Sequence, residues 1–258
     1  MLKGLLKAFK SDALNVRIYE SREEMGRCAA GDIAEELRGL LSRQGRANVI
    51  FAAAPSQLEM LDALVRAPGI DWSKVNAFHM DEYIGLACDA PQGFGNFLKR
   101  HLFSKLPFGS VCYIDSSAKD PDAECRRYSR VLGLYPADVA CMGIGENGHI
   151  AFNDPHAAFF DDPEAVKVVD LDEKCRMQQV NDGCFGSLAD VPRRAITLTV
   201  PALMAAKNIY CVVPGQSKRA AVLHAVRGEI STGCPASILR AQRNATLYAD
   251  RESGGDIL

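Results

Sequence analysis

Two short clusters place ionisable side chains at the ends of apolar runs: H-M-D-E-Y-I-G-L from His79 to Leu86, and G-I-G-E-N-G-H-I-A-F-N-D-P from Gly143 to Pro155. In the second, the run Val139 to Met142 enters Gly143 and Gly145, whose missing side chains permit tight turning and close approach of the backbone to a ligand. His149 follows at once, and an imidazole is the side chain best matched to moving protons near neutral pH. Asp154, five residues on, orients or polarises that ring if the backbone folds back. A histidine merely satisfied within a glycine-rich turn is the competing explanation. The G-x-G-x-x-G string is weak as a dinucleotide signal, because neither an early first strand nor an acidic residue ending a following strand accompanies it.

In the first cluster Asp81 and Glu82 close an apolar run and precede Tyr83. Side chains alternate along a strand, so one carboxylate faces a crevice as a general base while the other points away. A helix cap or a solvated turn accounts for the pair equally well.

The elements that must position these groups are legible in outline. Ser21 with Glu24 forms a capping box ahead of a helix ending near Gly45, and Ser56 with Glu59 forms a second, opening a helix that runs to Gly69. Residues 47–54 read as a buried strand. Further short apolar runs fall at 75–80, 111–114, 139–144, 166–169, 195–200, 209–213 and 245–249, with helical candidates at 94–106, 121–134, 200–206 and 216–226 between them. Strands alternating with helices predict an α/β fold: a single domain over 1–258 with a doubly wound, mostly parallel, Rossmann-like sheet flanked by helices. Residues 155–194 are less regular and are expected to form a lid or insertion, and the C-terminal tail is expected to fray.

Composition excludes several classes. The 30 basic and 32 acidic residues leave a net charge of −2, and no basic run interleaved with aromatics suggests a nucleic-acid partner. Nine cysteines, scattered without a C-x-x-C pair and mostly in apolar stretches, fit reduced core thiols in the cytoplasm better than disulfides or a zinc site. Within residues 1–20, Leu2, Leu5, Leu6 and Phe9 share a helical face opposite Lys3, Lys7 and Lys10. An amphipathic helical extension packing on its own chain or on a second subunit is expected, with membrane-surface binding as the lesser alternative. No apolar run is long enough to span a bilayer.

The two clusters resemble the signature segments of the glucosamine-6-phosphate deaminase family, which belongs to a wider group that includes 6-phosphogluconolactonases. The similarity runs from about residue 47 to 250, and includes G-F-G-N-F-L after the first cluster, A-I-T-L-T-V-P-A-L at 195–203 and G-Q-S-K at 215–218. The resemblance implies ring opening of an amino-sugar phosphate, aldose-to-ketose isomerisation and loss of ammonia to give fructose 6-phosphate, with no metal or organic cofactor. It assigns proton transfer between carbons 2 and 1 to Asp81 and ring opening to His149. Asp154 stands where the family usually has Glu, and Asn147 where Asp is common.

For substrate binding the resemblance points to Ala53, Ala54 and Ser56 in the loop after the first strand of the matched region, to Glu82 and Gly148, and to Lys218 as a phosphate ligand. Ser56 is equally explained as a helix N-cap. The family's phosphate-binding arginine has Arg176 as its nearest candidate, although ungapped alignment puts Gln179 there. The expected partner is a small phosphosugar, with homo-oligomerisation compatible with the N-terminal face. A lactone hydrolase and a non-catalytic phosphosugar-binding protein are the alternatives. Against the first, H-I-A-F-N-D-P replaces the S-L-F-P-like segment of lactonases; against the second, both Asp81 and His149 are present.

Overall fold

Short apolar runs flanked by glycine, proline and polar residues become strands buried on both faces, and amphipathic segments between them become the helices that cover them. The computed structural model describes residues 4–258. In chain order the elements are β1 (Leu5–Ser11), β2 (Leu14–Tyr19), α1 (Arg22–Gln44), β3 (Ala47–Phe51), α2 (Leu58–Val65), β4 (Val75–His79), β5 (Asp81–Tyr83), α3 (Phe94–Leu98), β6 (Ser110–Cys112), α4 (Pro121–Leu134), β7 (Val139–Met142), β8 (Val166–Asp170), α5 (Glu173–Asn181), β9 (Arg194–Leu198), α6 (Val200–Met204), β10 (Asn208–Val213), α7 (Arg219–Arg227) and β11 (Ala245–Asp250).

Eight strands form one sheet in the order β1-β2-β11-β10-β7-β3-β4-β6, parallel throughout except for the antiparallel pair β1–β2. The chain winds outward in one direction through β3, β4 and β6, then in the other through β7, β10 and β11. The reversal lies between β3 and β7, so the loops leaving the C-terminal ends of those strands splay apart and open a crevice there. Strand alternation divides the core: Val49 and Phe51 of β3 pack into one layer with Leu37, Leu61 and Leu64, whereas Ile50 packs into the other with Phe78, Tyr128 and Val222.

Four expectations are corrected. First, the segment containing Leu5, Leu6 and Phe9 is a strand, not a helix; Leu2 and Lys3 lie outside the described residues. Asp12, at φ 50°, turns the chain so that β1 pairs with β2, whose alternating Leu14, Val16 and Ile18 are wholly buried. Pairing to a sheet edge overrides a helical pattern this short. Second, Ser56 does not cap α2. It sits in a 3₁₀ turn, Pro55–Gln57, while Glu59 instead accepts two hydrogen bonds from the Arg22 guanidinium at 3.0 and 3.2 Å, and α2 ends at Val65. The Ser21 cap and the Gly45 terminus (φ 75°) occur as expected.

Third, β8 and β9 do not join the large sheet. They form a separate antiparallel sheet, β5-β9-β8, which fixes β5 beside the crevice. Fourth, the C-terminal tail is packed: Ser253 Oγ donates to the Val213 carbonyl, its amide bonds to Asp250, and Ile257 is buried.

Close packing of α1 on α2 depends on Gly26. A β-carbon there would lie 2.8 and 2.9 Å from backbone atoms of Glu59 and Met60, too near for either to yield easily. Gly26→Ala is expected to cost roughly 1–3 kcal/mol through overpacking, seen in calorimetry as a Tm lower by several degrees; an unchanged Tm contradicts so close an approach.

Candidate active site

The crevice is walled by loops from four strands: Ala52, Ala53, Ala54, Ser56 and Gln57 after β3; Met80 and Asp81 after β4; Gly143, Ile144, Gly145 and His149 after β7; and Lys218 after β10. Ala151, Phe152 and Phe94 contribute further wall, and α5 closes one side with Gln178 and Gln179.

His149 is held by construction. Asn147 Nδ2 donates to Asp154 Oδ1 at 2.9 Å and to Asp172 Oδ2 at 3.2 Å, which fixes the amide so that its Oδ1 faces the imidazole. That oxygen lies 2.7 Å from His149 Nδ1, and Asp154 Oδ1 lies 3.1 Å from the same nitrogen. Two acceptors on Nδ1 keep a proton there, leaving Nε2 of the neutral ring as a base toward the crevice. Asp154 reaches back because the chain doubles over between Ile150 and Asn153, with Ala151 at φ 48° and the Asn153 amide tied to the carbonyls of Ile150 and Leu198. The tight turn supplies the reach that its shorter side chain lacks. Burial disfavours charge on Asp154, but hydrogen bonds from His149, Asn147 and the Asp172 amide outweigh it and hold the carboxyl below its usual range.

Glycines clear the space. A β-carbon on Gly145 would fall 2.1–2.3 Å from the His149 ring atoms, so only glycine lets the imidazole lie there. Gly148 (φ 86°) turns the chain against Cys234 and its carbonyl accepts from Ala236 N–H; the structure gives it a backbone role and does not place it on the crevice wall.

Asp81 and Glu82 separate as strand alternation requires. Asp81 lines the crevice, and its carboxyl accepts no hydrogen bond from any described residue. Burial, reinforced by the Glu82 charge, raises its pKa well above the ordinary carboxylate range. Glu82 turns away and accepts backbone N–H groups from Tyr83, Phe94 and Gly95 at 2.9, 3.0 and 2.8 Å, tying β5 to the start of α3. The expectation that Glu82 touches substrate is therefore corrected.

At the other end of the crevice, Lys218 is 5 % exposed and its ammonium has no hydrogen-bonding partner among the described residues. Burial pulls its pKa down, while Asp182 and Glu146 pull it back up. A buried cation unpaired among the described residues, lining one crevice with the Ala53–Ser56 loop, is a ready anion site. Arg176 does not join it: its guanidinium is bound to the carbonyls of Leu188 and Val191, and Gln179 occupies the wall instead. Sequence reasoning missed Gln57 and Gln178. Neither belongs to a local motif: Gln57 lies in the turn after β3 and Gln178 within α5, and only the folded crevice brings them to its wall.

Donor atoms of His149, Asp154 and Cys175 lie within 4.8 Å of one another. Cys175 is buried, and His149 Nδ1 is committed to two oxygen partners, Asn147 Oδ1 and Asp154 Oδ1, so the histidine and the aspartate of this cluster hold each other in place.

Known proteins share the sequence pattern and the fold. The family described as glucosamine-6-phosphate isomerases/6-phosphogluconolactonase matches residues 20–248. Glucosamine-6-phosphate deaminase of Lactobacillus delbrueckii subsp. bulgaricus is 32% identical over 238 residues, covering 92% of this chain and 97% of the relative. The deaminase of Bacillus cytotoxicus is 33% identical over 240 residues, 93% of this chain and 88% of that one. Among solved structures, a monomeric glucosamine-6-phosphate deaminase superposes with a TM-score of 0.85 at 29% identity, covering 93% of this chain and 98% of that chain. A 6-phosphogluconolactonase from Thermotoga maritima superposes at 0.75 and 19% identity, covering 92% and 99%, a likeness of fold.

Because Asp81 is neutral more readily when folded than when unfolded, the native state binds the extra proton, and stability falls as pH rises from the ordinary carboxylate range through the raised pKa. Asp81→Asn removes that penalty. Its Tm is expected to exceed that of the parent at pH 8, with the gain shrinking towards pH 4; a gain constant across pH contradicts the raised pKa.

Proposed function

This chain belongs to the glucosamine-6-phosphate isomerase/6-phosphogluconolactonase family, and we propose that it is the deaminase, converting glucosamine 6-phosphate and water to fructose 6-phosphate and ammonia. The observation that carries this is one crevice holding, among the described residues, a desolvated carboxyl that accepts no hydrogen bond, an imidazole whose outer nitrogen has no partner, and a buried lysine without a partner.

Each group has work suited to its setting. Lys218, the Ala53 and Ala54 amides and the Ser56 hydroxyl hold the phosphate. Nε2 of His149 takes the proton from the hydroxyl on carbon 1 and delivers it to the ring oxygen, opening the pyranose. The imidazolium formed in passing rests on Asp154, since Asn147 can orient the ring but carries no charge. Asp81, as a carboxylate, removes the proton from carbon 2 and returns one to carbon 1. The resulting imine at carbon 2 is hydrolysed to the ketone and ammonia.

Burial strengthens Asp81 as a base, because a carboxylate whose pKa lies nearer neutrality abstracts carbon-bound protons more readily. No helix among the described residues is long and apolar enough to cross a membrane, and a cytoplasmic setting suits both a phosphorylated substrate and nine free thiols.

The test is to incubate the pure protein with glucosamine 6-phosphate and measure both products. Asp81→Asn is expected to lower kcat by about 10²–10⁴-fold, and Lys218→Met to act mainly by raising KM. The acid limb of kcat/KM should lie above pH ~4, since Asp81 must ionise from a raised pKa. Ammonia release that is indifferent to Asp81, or hydrolysis of 6-phosphogluconolactone outpacing deamination, would overturn the assignment.

A further inference from the structure

The crevice that Lys218 lines holds a second polar group without a partner among the described residues. Gln57 is fully buried, and its Nε2 donates to the Val212 carbonyl at 3.0 Å and to Ser56 Oγ at 3.2 Å. The Val212 carbonyl fixes the amide orientation, because flipping it would set two oxygens face to face. Its Oε1 therefore remains an acceptor, and no described residue donates to it. Gly143 makes room for this side chain: a β-carbon there would come within 2.9 Å of Gln57 Nε2. The neighbouring amide is different in kind. Gln178 is committed at both ends, accepting from the Glu146 N–H at 2.9 Å and donating to Asp182 at 3.3 Å.

A buried donor cation and a buried acceptor thus wall one crevice, and each lacks a partner among the described residues. An anion alone satisfies the first and repels the second. A ligand that satisfies both carries an anionic oxygen and, close to it, an O–H donor.

We propose that Gln57 is a specificity residue, its Oε1 accepting a hydrogen bond from an O–H group that the ligand presents beside the anion bound at Lys218. The donor has two possible sources: the sugar hydroxyl next to the phosphate ester, or the proton of a singly charged phosphate. In the cyclic sugar the oxygen next to that ester carbon is the ring oxygen and has no hydrogen. Only the open chain offers a hydroxyl there, so the first source makes Gln57 a selector of the ring-opened sugar. The inference rests on the phosphosugar reading of the site.

The test uses binding to probes that do not react, so its outcome is independent of whether deamination is found. Calorimetric titration with glucitol 6-phosphate and with 5-deoxyglucitol 6-phosphate, on the parent and on Gln57→Met, reads the first source. The parent should favour the hydroxyl-bearing probe by roughly ten- to hundredfold, and the variant should bind the two alike. Titration with inorganic phosphate between pH 5.5 and 8 reads the second: the parent should favour the singly charged form severalfold more than Gln57→Met does. If Gln57→Met does not fold, the parent's ratio between the two sugar probes and the phosphate series on Gln57→Glu decide. Finding neither a hydroxyl preference nor a pH preference that depends on residue 57 would overturn the proposal. Failure of the deamination assay alongside a hydroxyl preference would overturn the reaction and leave this binding role standing.

Discussion

Parallel strands hydrogen-bonded on both sides leave little freedom to the loops at their ends, and only where the winding direction reverses do adjacent loops part company. In this chain that reversal falls between β3 and β7, and every group of the proposed chemistry hangs from it. The loop after β3 brings backbone amides, Ser56 and Gln57; the loop after β7 brings the histidine; the exit from β4 brings Asp81, and the turn after β10 brings Lys218. These four segments are far apart in sequence, and the sheet register places them together. The small antiparallel sheet β5-β9-β8 is the necessary adjunct, because it holds Asp81 at the crevice while Glu82 bonds into the start of α3.

Desolvation then sets what these groups do. The same burial that raises Asp81 opposes the charge on Asp154, yet Asp154 stays ionised because three hydrogen bonds favour its charged form. Two aspartates in one site are thereby divided between roles: one is a base whose proton is not tightly refused, the other a fixed negative charge behind an imidazole. Lys218 has no hydrogen-bonding partner among the described residues at the far end, where the Asp182 and Glu146 charges favour its ammonium. In the proposed binding mode one lysine acts with neutral donors and acceptors, which makes the ligand's own hydrogen-bonding pattern count for more than it would beside an arginine.

Much of this was legible in the residues. The clusters at 79–86 and 143–155 marked ionisable groups at strand ends, and the G-x-G-x-x-G-H spacing set His149 directly after a turn; the folded chain brings Asp81 and His149 to one crevice. The alternating apolar runs gave the doubly wound sheet. Reading failed where partners distant in sequence decided the outcome. Glu59 seemed to belong to a capping box, but Arg22, 37 residues earlier, bonds it. Arg176 seemed free to bind phosphate, but the carbonyls of Leu188 and Val191 engage it. The 5–11 segment fits either period over so few residues, and pairing with β2 settled it as a strand. Gln57 gave no signal, because an unpartnered oxygen is a property of the folded crevice and not of any local motif.

The most direct measurement is a crystal structure with 2-amino-2-deoxyglucitol 6-phosphate, an open-chain analogue that cannot isomerise. The account places its phosphate between Lys218 Nζ and the amides of the Ala53–Ser56 loop, its carbon 2 against the Asp81 carboxyl and its carbon 1 oxygen within hydrogen-bonding distance of His149 Nε2. A sugar bound with carbon 2 turned away from Asp81, or with its phosphate outside the reach of Lys218, would contradict it.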